Sequence, residues 1–179
     1  ENLTGADLSA WQEDAGKWRA VGEVSLDPAN DARLATRPGS GAIINGDDGD
    51  EGRTVNLHTR KEWGDVEAHV EFLVPRGSNS GVYFMGRYEI QVLDSWDPTK
   101  DAPREPPKYS DCGGIYERWD SSRGAGNEGY EGHAPRVNAC RKPGEWQSFD
   151  VVFRAPRFDA SGKKTASACF VKVVHNGRV

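Results

Sequence analysis

Residues 87–94 read Arg-Tyr-Glu-Ile-Gln-Val-Leu-Asp, and Arg87, Glu89, Gln91 and Asp94 bring four chemically useful side chains into that short run. In an extended chain successive side chains alternate, so Glu89 and Gln91 share a face and Asp94 points away from it. A bulge at Val92–Leu93 would carry Asp94 onto the face of Glu89. Two carboxyl groups on one face are in range for acid–base work on a glycosidic bond. The same run also reads as the solvated outer row of an ordinary strand, with Asp94 opening a turn.

A second candidate base is His69, in Val66-Glu67-Ala68-His69-Val70-Glu71-Phe72. A free imidazole titrates near neutrality, which suits proton transfer. The alternative is a solvent-facing or hydrogen-bonded sheet histidine. Glu67, His69 and Glu71 share one face and could instead hold a divalent cation, although successive partners lie about 7 Å apart along a strand, which is long for a single ion. No other cofactor is called for. Arg87 can polarise a carbonyl or fork onto sugar hydroxyls, or form a surface ion pair. Gln91 offers a donor and an acceptor, which suits adjacent hydroxyls. Asn79, ahead of Ser80-Gly81, is a turn former or a hydroxyl ligand. Among six tryptophans, Trp96 and Trp119 belong to the long loops and offer flat faces for a sugar ring, whereas Trp146 borders a clear strand and reads as core.

The elements that must position these groups are strands. Residues 65–75 alternate apolar and polar over nine positions and predict a strand with one buried face, ended by Pro75 and Gly77. Residues 80–86 and 88–94 follow as two more. Residues 16–24 read as a short strand interrupted by glycine, and residues 7–12 as one helical turn capped by Asp7 or Ser9. Residues 95–108 are proline-rich and 121–135 glycine-rich, enclosing a strand-like piece at 112–119. Loops this long inside a compact domain are usually functional or disordered. Strands resume at 146–156 and 166–177. Asn176-Gly177 favours a type I′ hairpin turn, whose second strand would lie beyond Val179. Asp47-Asp48-Gly49-Asp50-Glu51-Gly52 is a solvated loop or, less often, a calcium loop. Many strands, few helices and Gly/Pro turns indicate a single antiparallel sandwich or barrel over residues 1–179.

Composition narrows the partners. With 23 Lys and Arg against 28 Asp and Glu, the net charge is −5, and nucleic acid calls for a basic patch. No apolar run approaches the roughly 20 residues of a membrane helix. No signal peptide is present, and a start at Glu1 reads as a mature or trimmed chain. The cysteines are Cys112, Cys140 and Cys169. Cys112 and Cys140 flank the glycine-rich loop and could bridge it in an exported protein; otherwise all three are buried thiols.

The spacing of Glu89, Gln91 and Asp94 is similar to the Glu-x-Asp-x-x-Glu strand of laminarinase- and lichenase-type glycosidases, which are jelly rolls. Here the middle acid is Gln91, which cannot ionise, and the last is an Asp, one methylene shorter. A closer resemblance covers nearly the whole chain. Residues 2–12, 79–95, 112–117, 137–164 and 173–177 together resemble the 3-keto-disaccharide hydrolase domain family, in order and in spacing. That resemblance implies an all-β, concanavalin-like jelly roll with long loops around a concave groove, exported by bacteria to the periplasm or beyond. It implies a keto-sugar disaccharide as substrate, with Tyr116 and Asn138 near the groove beside Asn79, Arg87, Gln91, Asp94, Trp96 and Trp119. A C3 carbonyl acidifies the C2 proton, so one base suffices to start elimination of the group at C1, and Glu89 is the first choice for it. A carbohydrate-binding module of the same shape is the alternative.

Overall fold

The structure is a computed structural model of the chain that describes residues 1–46 and 55–179. The acidic loop at 47–52 lies outside the described residues. The chain falls into two compact units, Glu1–Glu62 and Trp63–Val179. Among the described residues the only helix is the turn Ser121–Arg123, and none is long and apolar enough to cross a membrane.

In the first unit, β1 (Arg19–Asp27) and β2 (Asn30–Ile44) form an antiparallel ribbon. Its register shifts at Gly22, where the backbone passes so close to Pro38 and Gly39 that a Cβ would lie 2.9 Å from the Pro38 carbonyl. Pro38 is tolerated in such an irregular ribbon because the shift releases its neighbours from regular pairing. Residues 7–12 are a turn rather than helix: Asp7 Oδ1 accepts from the Ser9 amide at 2.8 Å, satisfying the backbone locally and leaving no helical ladder.

The second unit carries every candidate site residue. Its longer strands are β3 (Val66–Phe72), β4 (Asn79–Phe84), β5 (Tyr88–Leu93), β10 (Gln147–Arg154) and β13 (Cys169–His175). Between them lie the two-residue pieces β6 (Trp96–Asp97), β7 (Ala102–Pro103), β8 (Arg118–Trp119), β9 (Gly129–Tyr130) and β11 (Arg157–Phe158), together with β12 (Lys164–Ala166). All pairings are antiparallel, in the order β13-β10-β3 for the larger sheet and β4-β5 for the hairpin.

Alternation explains the core. Phe149, Val151 and Phe153 leave β10 on one face, beside Val70, Ala68 and Val66 of β3 in the paired register. Ile90 and Val92 of β5 and Val82 and Phe84 of β4 supply the opposing layer of the same cluster. Phe84 stacks on Phe153 at 5.1 Å between ring centroids. The result is a two-layer antiparallel sandwich of jelly-roll class. Burying one side chain of the Ile or Phe class contributes roughly 1.5–3 kcal/mol, so this cluster is the main stabiliser of the unit. Trp146 does not join it: its side chain is 44% exposed, because it precedes the strand at Gln147 and stands outside the alternation. The expected turn after His175 is present. Asn176 and Gly177 both adopt positive φ, 48° and 78°, and His175 and Arg178 exchange two backbone hydrogen bonds, as a type I′ turn requires.

Candidate functional site

The β4–β5 hairpin turns through Met85 and Gly86, at φ 55° and 60°. Its register sets Tyr83 opposite Glu89, Gly81 opposite Gln91, and Asn79 opposite Leu93. Directly opposed residues share a face, so these side chains form the outer row while Ile90 and Val92 enter the core. A third segment continues the sheet beyond β5. Gln91 donates its amide to the Gly114 carbonyl, and Gly113 and Tyr116 donate to the carbonyls of Gln91 and Glu89, each at 2.9–3.0 Å. Ile115 bridges Ile90 on one side and His133 on the other. Tyr116 therefore stands beside Glu89 on the outer face.

Glu89 is the chemical centre of this face. Its Oε2 accepts the Tyr83 hydroxyl at 2.6 Å. Its other oxygen lies over Gly81, 2.0 Å from where a Cβ would be, so only glycine leaves room for it. Burial pushes the Glu89 carboxyl above the usual glutamate range, and the Tyr83 hydrogen bond opposes that rise. Tyr83 is itself pushed up, by burial first and then by Glu89, and so keeps its proton to donate.

A second carboxylate lies in the same neighbourhood. Glu117 packs over Gly132, and its Oε2 sits 2.1 Å from where a Cβ of Gly129 would be. Burial, followed by a hydrogen bond to Glu117, raises the Tyr109 hydroxyl. The Tyr109 and Tyr116 rings meet edge-on at 5.5 Å. Two tyrosine–glutamate pairs thus flank Tyr116.

Sequence reasoning missed Tyr83, Tyr109 and Glu117. Tyr83 was within its reach, because a three-residue connection, Met85 to Arg87, makes residues 83 and 89 direct partners. The others had no local signal, since their segments meet only through tertiary pairing.

The remaining expectations divide. Gln91 is 3% exposed, and its Nε2 donates to Asn79 Oδ1 and to the Ser110 carbonyl, both at 3.3 Å. It ties the hairpin to a loop and is not open to sugar hydroxyls. Asn79 is exposed at the mouth of β4 and supplies one of those acceptors. Asn138 is also buried, at 2%. It accepts from Ser95 Oγ and the Cys140 amide and donates to the carbonyls of Ser95 and Arg104. With those bonds made, it braces three loop segments rather than lining a groove.

The bulge at Val92–Leu93 that would bring Asp94 onto the face of Glu89 is absent, for the pairing runs without a shift from Phe84–Tyr88 to Asn79–Leu93. Asp94 therefore stays off the face of Glu89 and caps a turn, accepting from the amides of Gly77 and Trp96. Arg87 is exposed at the hairpin tip, near enough to Asp120 to favour that carboxylate after the hydrogen bonds from Ser122. Trp96 is half-buried, with the Lys142 ammonium 5.6 Å from its ring, and Trp119 is 71% exposed.

His69 lies elsewhere. Alternation in β3 sends Ala68 and Val70 into the core and His69 to the opposite face of its sheet. The core separates it from Glu89, whose strand also faces that cluster with Ile90 and Val92. One site cannot use both as bases. His69 Nδ1 meets Asp150 Oδ1 across the β3–β10 pair at 2.6 Å. Glu67 and Glu71 flank it in the open, and no cluster of three metal-ligating side chains occurs among the described residues.

Beside the outer row, the proline-rich loop encloses a cleft of about 380 Å³ lined by Asp97, Lys100, Arg104, Lys108, Ser110 and Asp111, among others. Ser110, whose carbonyl receives Gln91, joins this charged cleft to the face that bears Glu89.

The family described as the 3-keto-alpha-glucoside-1,2-lyase-like domain matches residues 1–179. This chain belongs to that family. A crystal structure of a "putative glycosyl hydrolase" from Parabacteroides distasonis is similar over 98% of this chain, with a TM-score of 0.60 and 26% identity. The chain spans 61% of the length of that protein. No curated protein matches the chain. The family description and the neighbour's title both refer to chemistry on glycosides.

Proposed function

We propose that this chain cleaves glycosides that carry a ketone at C3, with Glu89 as the base that removes the C2 proton. The observation that carries this reading is the state of Glu89: desolvated, raised above an ordinary glutamate, and held by Tyr83 over the one residue type that leaves it room. A base poised nearer neutrality is what proton abstraction beside a carbonyl needs. The C2–H electron pair passes into the enolate, negative charge gathers on the C3 oxygen, and the C1–O bond then breaks. Tyr116, whose backbone amide pairs with the Glu89 carbonyl, is the donor we assign to that oxygen. The Tyr109–Glu117 pair offers a donor and acceptors for hydroxyls of the same substrate. Water adding to the enone completes net hydrolysis. The family description names a 1,2-lyase, which supports elimination across C1 and C2.

The test is incubation with 3-keto-trehalose and 3-keto-lactose, following release of glucose. Turnover that disappears in Glu89→Gln, with the fold intact by circular dichroism, is the expected result. Full activity in that variant removes Glu89 from the role. Binding of plain glycans with no turnover on any keto-sugar would make the chain a lectin-like module, the reading that exposed Trp119 favours.

A further inference from the structure

Cys112 and Cys140 stand at the two ends of the segment that bears Tyr116, Glu117 and Trp119. Both are buried, while Cys169 is exposed on β13. Three observations bring the buried pair together. Both are free thiols in this structure, and each is the largest single influence on the other's proton affinity. Both face the Leu93 carbonyl at the end of β5, with Cys140 Sγ 3.8 Å from that oxygen. Their backbones are tied through one buried relay: the Cys112 amide donates to Ser95 Oγ, Ser95 Oγ to Asn138 Oδ1, and the Cys140 amide to that same oxygen. The relay holds both backbones to the same buried Ser95–Asn138 pair, independently of any bond between the sulfurs.

We propose that Cys112 and Cys140 are the partners of an intramolecular disulfide that staples the loop carrying half of the candidate site. The chemistry needs an oxidant, and a small-molecule disulfide supplies it. The Cys140 thiolate attacks one sulfur of the oxidant and expels a thiolate, leaving a mixed disulfide. Cys112 loses its proton, attacks the Cys140 sulfur and expels the second thiolate. The protein loses two hydrogens and the oxidant gains them as two thiols.

The order of attack follows from the environment. The neighbouring Cys112 thiol lowers the proton affinity of Cys140, with Ser95 assisting, while Cys112 is held up by Cys140 and by burial. An exported chain would meet the oxidising medium in which such bonds persist. The bond would close the loop from Cys112 to Cys140 beneath Gly113 and Gly114, which carry the backbone pairing to Gln91.

The experiment uses the full chain with Cys169→Ser, so that only the two buried thiols remain. The reduced protein is treated with oxidised glutathione, unfolded in alkylating agent and weighed intact. The expected result is a monomer about 2 Da lighter than the unalkylated reduced chain, carrying no alkyl group, with a proteolytic fragment joining the Cys112 and Cys140 peptides. Its melting temperature should exceed that of the reduced form by about 5–10 °C, since a loop of this length is closed in the unfolded state. A stable glutathione adduct or a disulfide-linked dimer after this treatment overturns the proposal. Oxidant excluded by burial is distinguished by repeating the treatment during refolding from denaturant: two free thiols there as well settle the matter against it.

Discussion

Two strands of the second unit carry polar rows that look alike in sequence: Glu67-His69-Glu71 on β3 and Glu89-Gln91 on β5. The structure treats them in opposite ways. On β3 the row faces water, and His69 finds only its cross-strand neighbour Asp150. On β5 the row is roofed by residues 108–116, so that Gln91 is buried and Glu89 is desolvated. A period of two declares that a strand has one apolar face. It says nothing about what covers the other. Coverage comes from the proline- and glycine-rich loops, and it turns an ordinary outer face into a place where a carboxyl group can have an altered affinity for protons.

The sharpest way to break this comparison is to remove the acid or imidazole at the centre of each row. Glu89→Gln should lower turnover of a 3-keto-glycoside about a thousandfold, in the range expected for loss of a general base. Rates for the two proteins at saturating substrate decide it. A smaller effect is expected from Gly81→Ala, whose Cβ would meet Glu89 Oε1 at 2.0 Å. The carboxylate must then move, and kcat should fall about a hundredfold, as misplacement of a reacting group by an ångström can cost that much. Because the displaced atom ends a flexible side chain, the thermal melt should change far less than the rate.

Tyr83→Phe tests the roof electrostatically. The Tyr83 hydrogen bond favours the charged form of Glu89, so losing it raises the Glu89 pKa further above the ordinary value. Glu89 acts as a base only when deprotonated. The acidic limb of kcat/KM should therefore move to higher pH, with a loss of about tenfold below it for a shift of one unit and a smaller loss above it. A pH–rate profile of both proteins reads this; an unmoved limb would sever Tyr83 from the base. Least of all, His69→Ala should leave the rate within about twofold and stability within about 1 kcal/mol, the scale of exposed ion pairs. A large rate loss there would invert the assignment of the two faces.

How much of this could be seen in the sequence depends on how local its cause is. The strand at 66–72 was legible because five apolar residues alternate in the span that includes it, and the turn at Asn176-Gly177 because few sequences tolerate two positive φ angles in a row. β2 was not legible: Arg33, Arg37, Pro38 and Gly39 give no apolar period, and the strand exists through its pairing with β1. Asn138 and Gln91 look like ligands in a string of letters because amides serve sugars and backbones equally well. Only the arrival of Ser110, Ser95 and Arg104 from distant loops reveals which use is made of them. Asp94 follows the turn reading of that run rather than the bulge, which leaves no compulsory mark in sequence and whose absence here follows from six uninterrupted cross-strand pairs.

The chain contains a single methionine, and the fold suspends it in water at the tip of the hairpin whose second strand holds Glu89. Methyl labelling of that residue therefore gives one NMR resonance for the whole molecule, with no assignment to be made. Its movement on titration with a sugar would report which side of the sandwich the ligand has chosen.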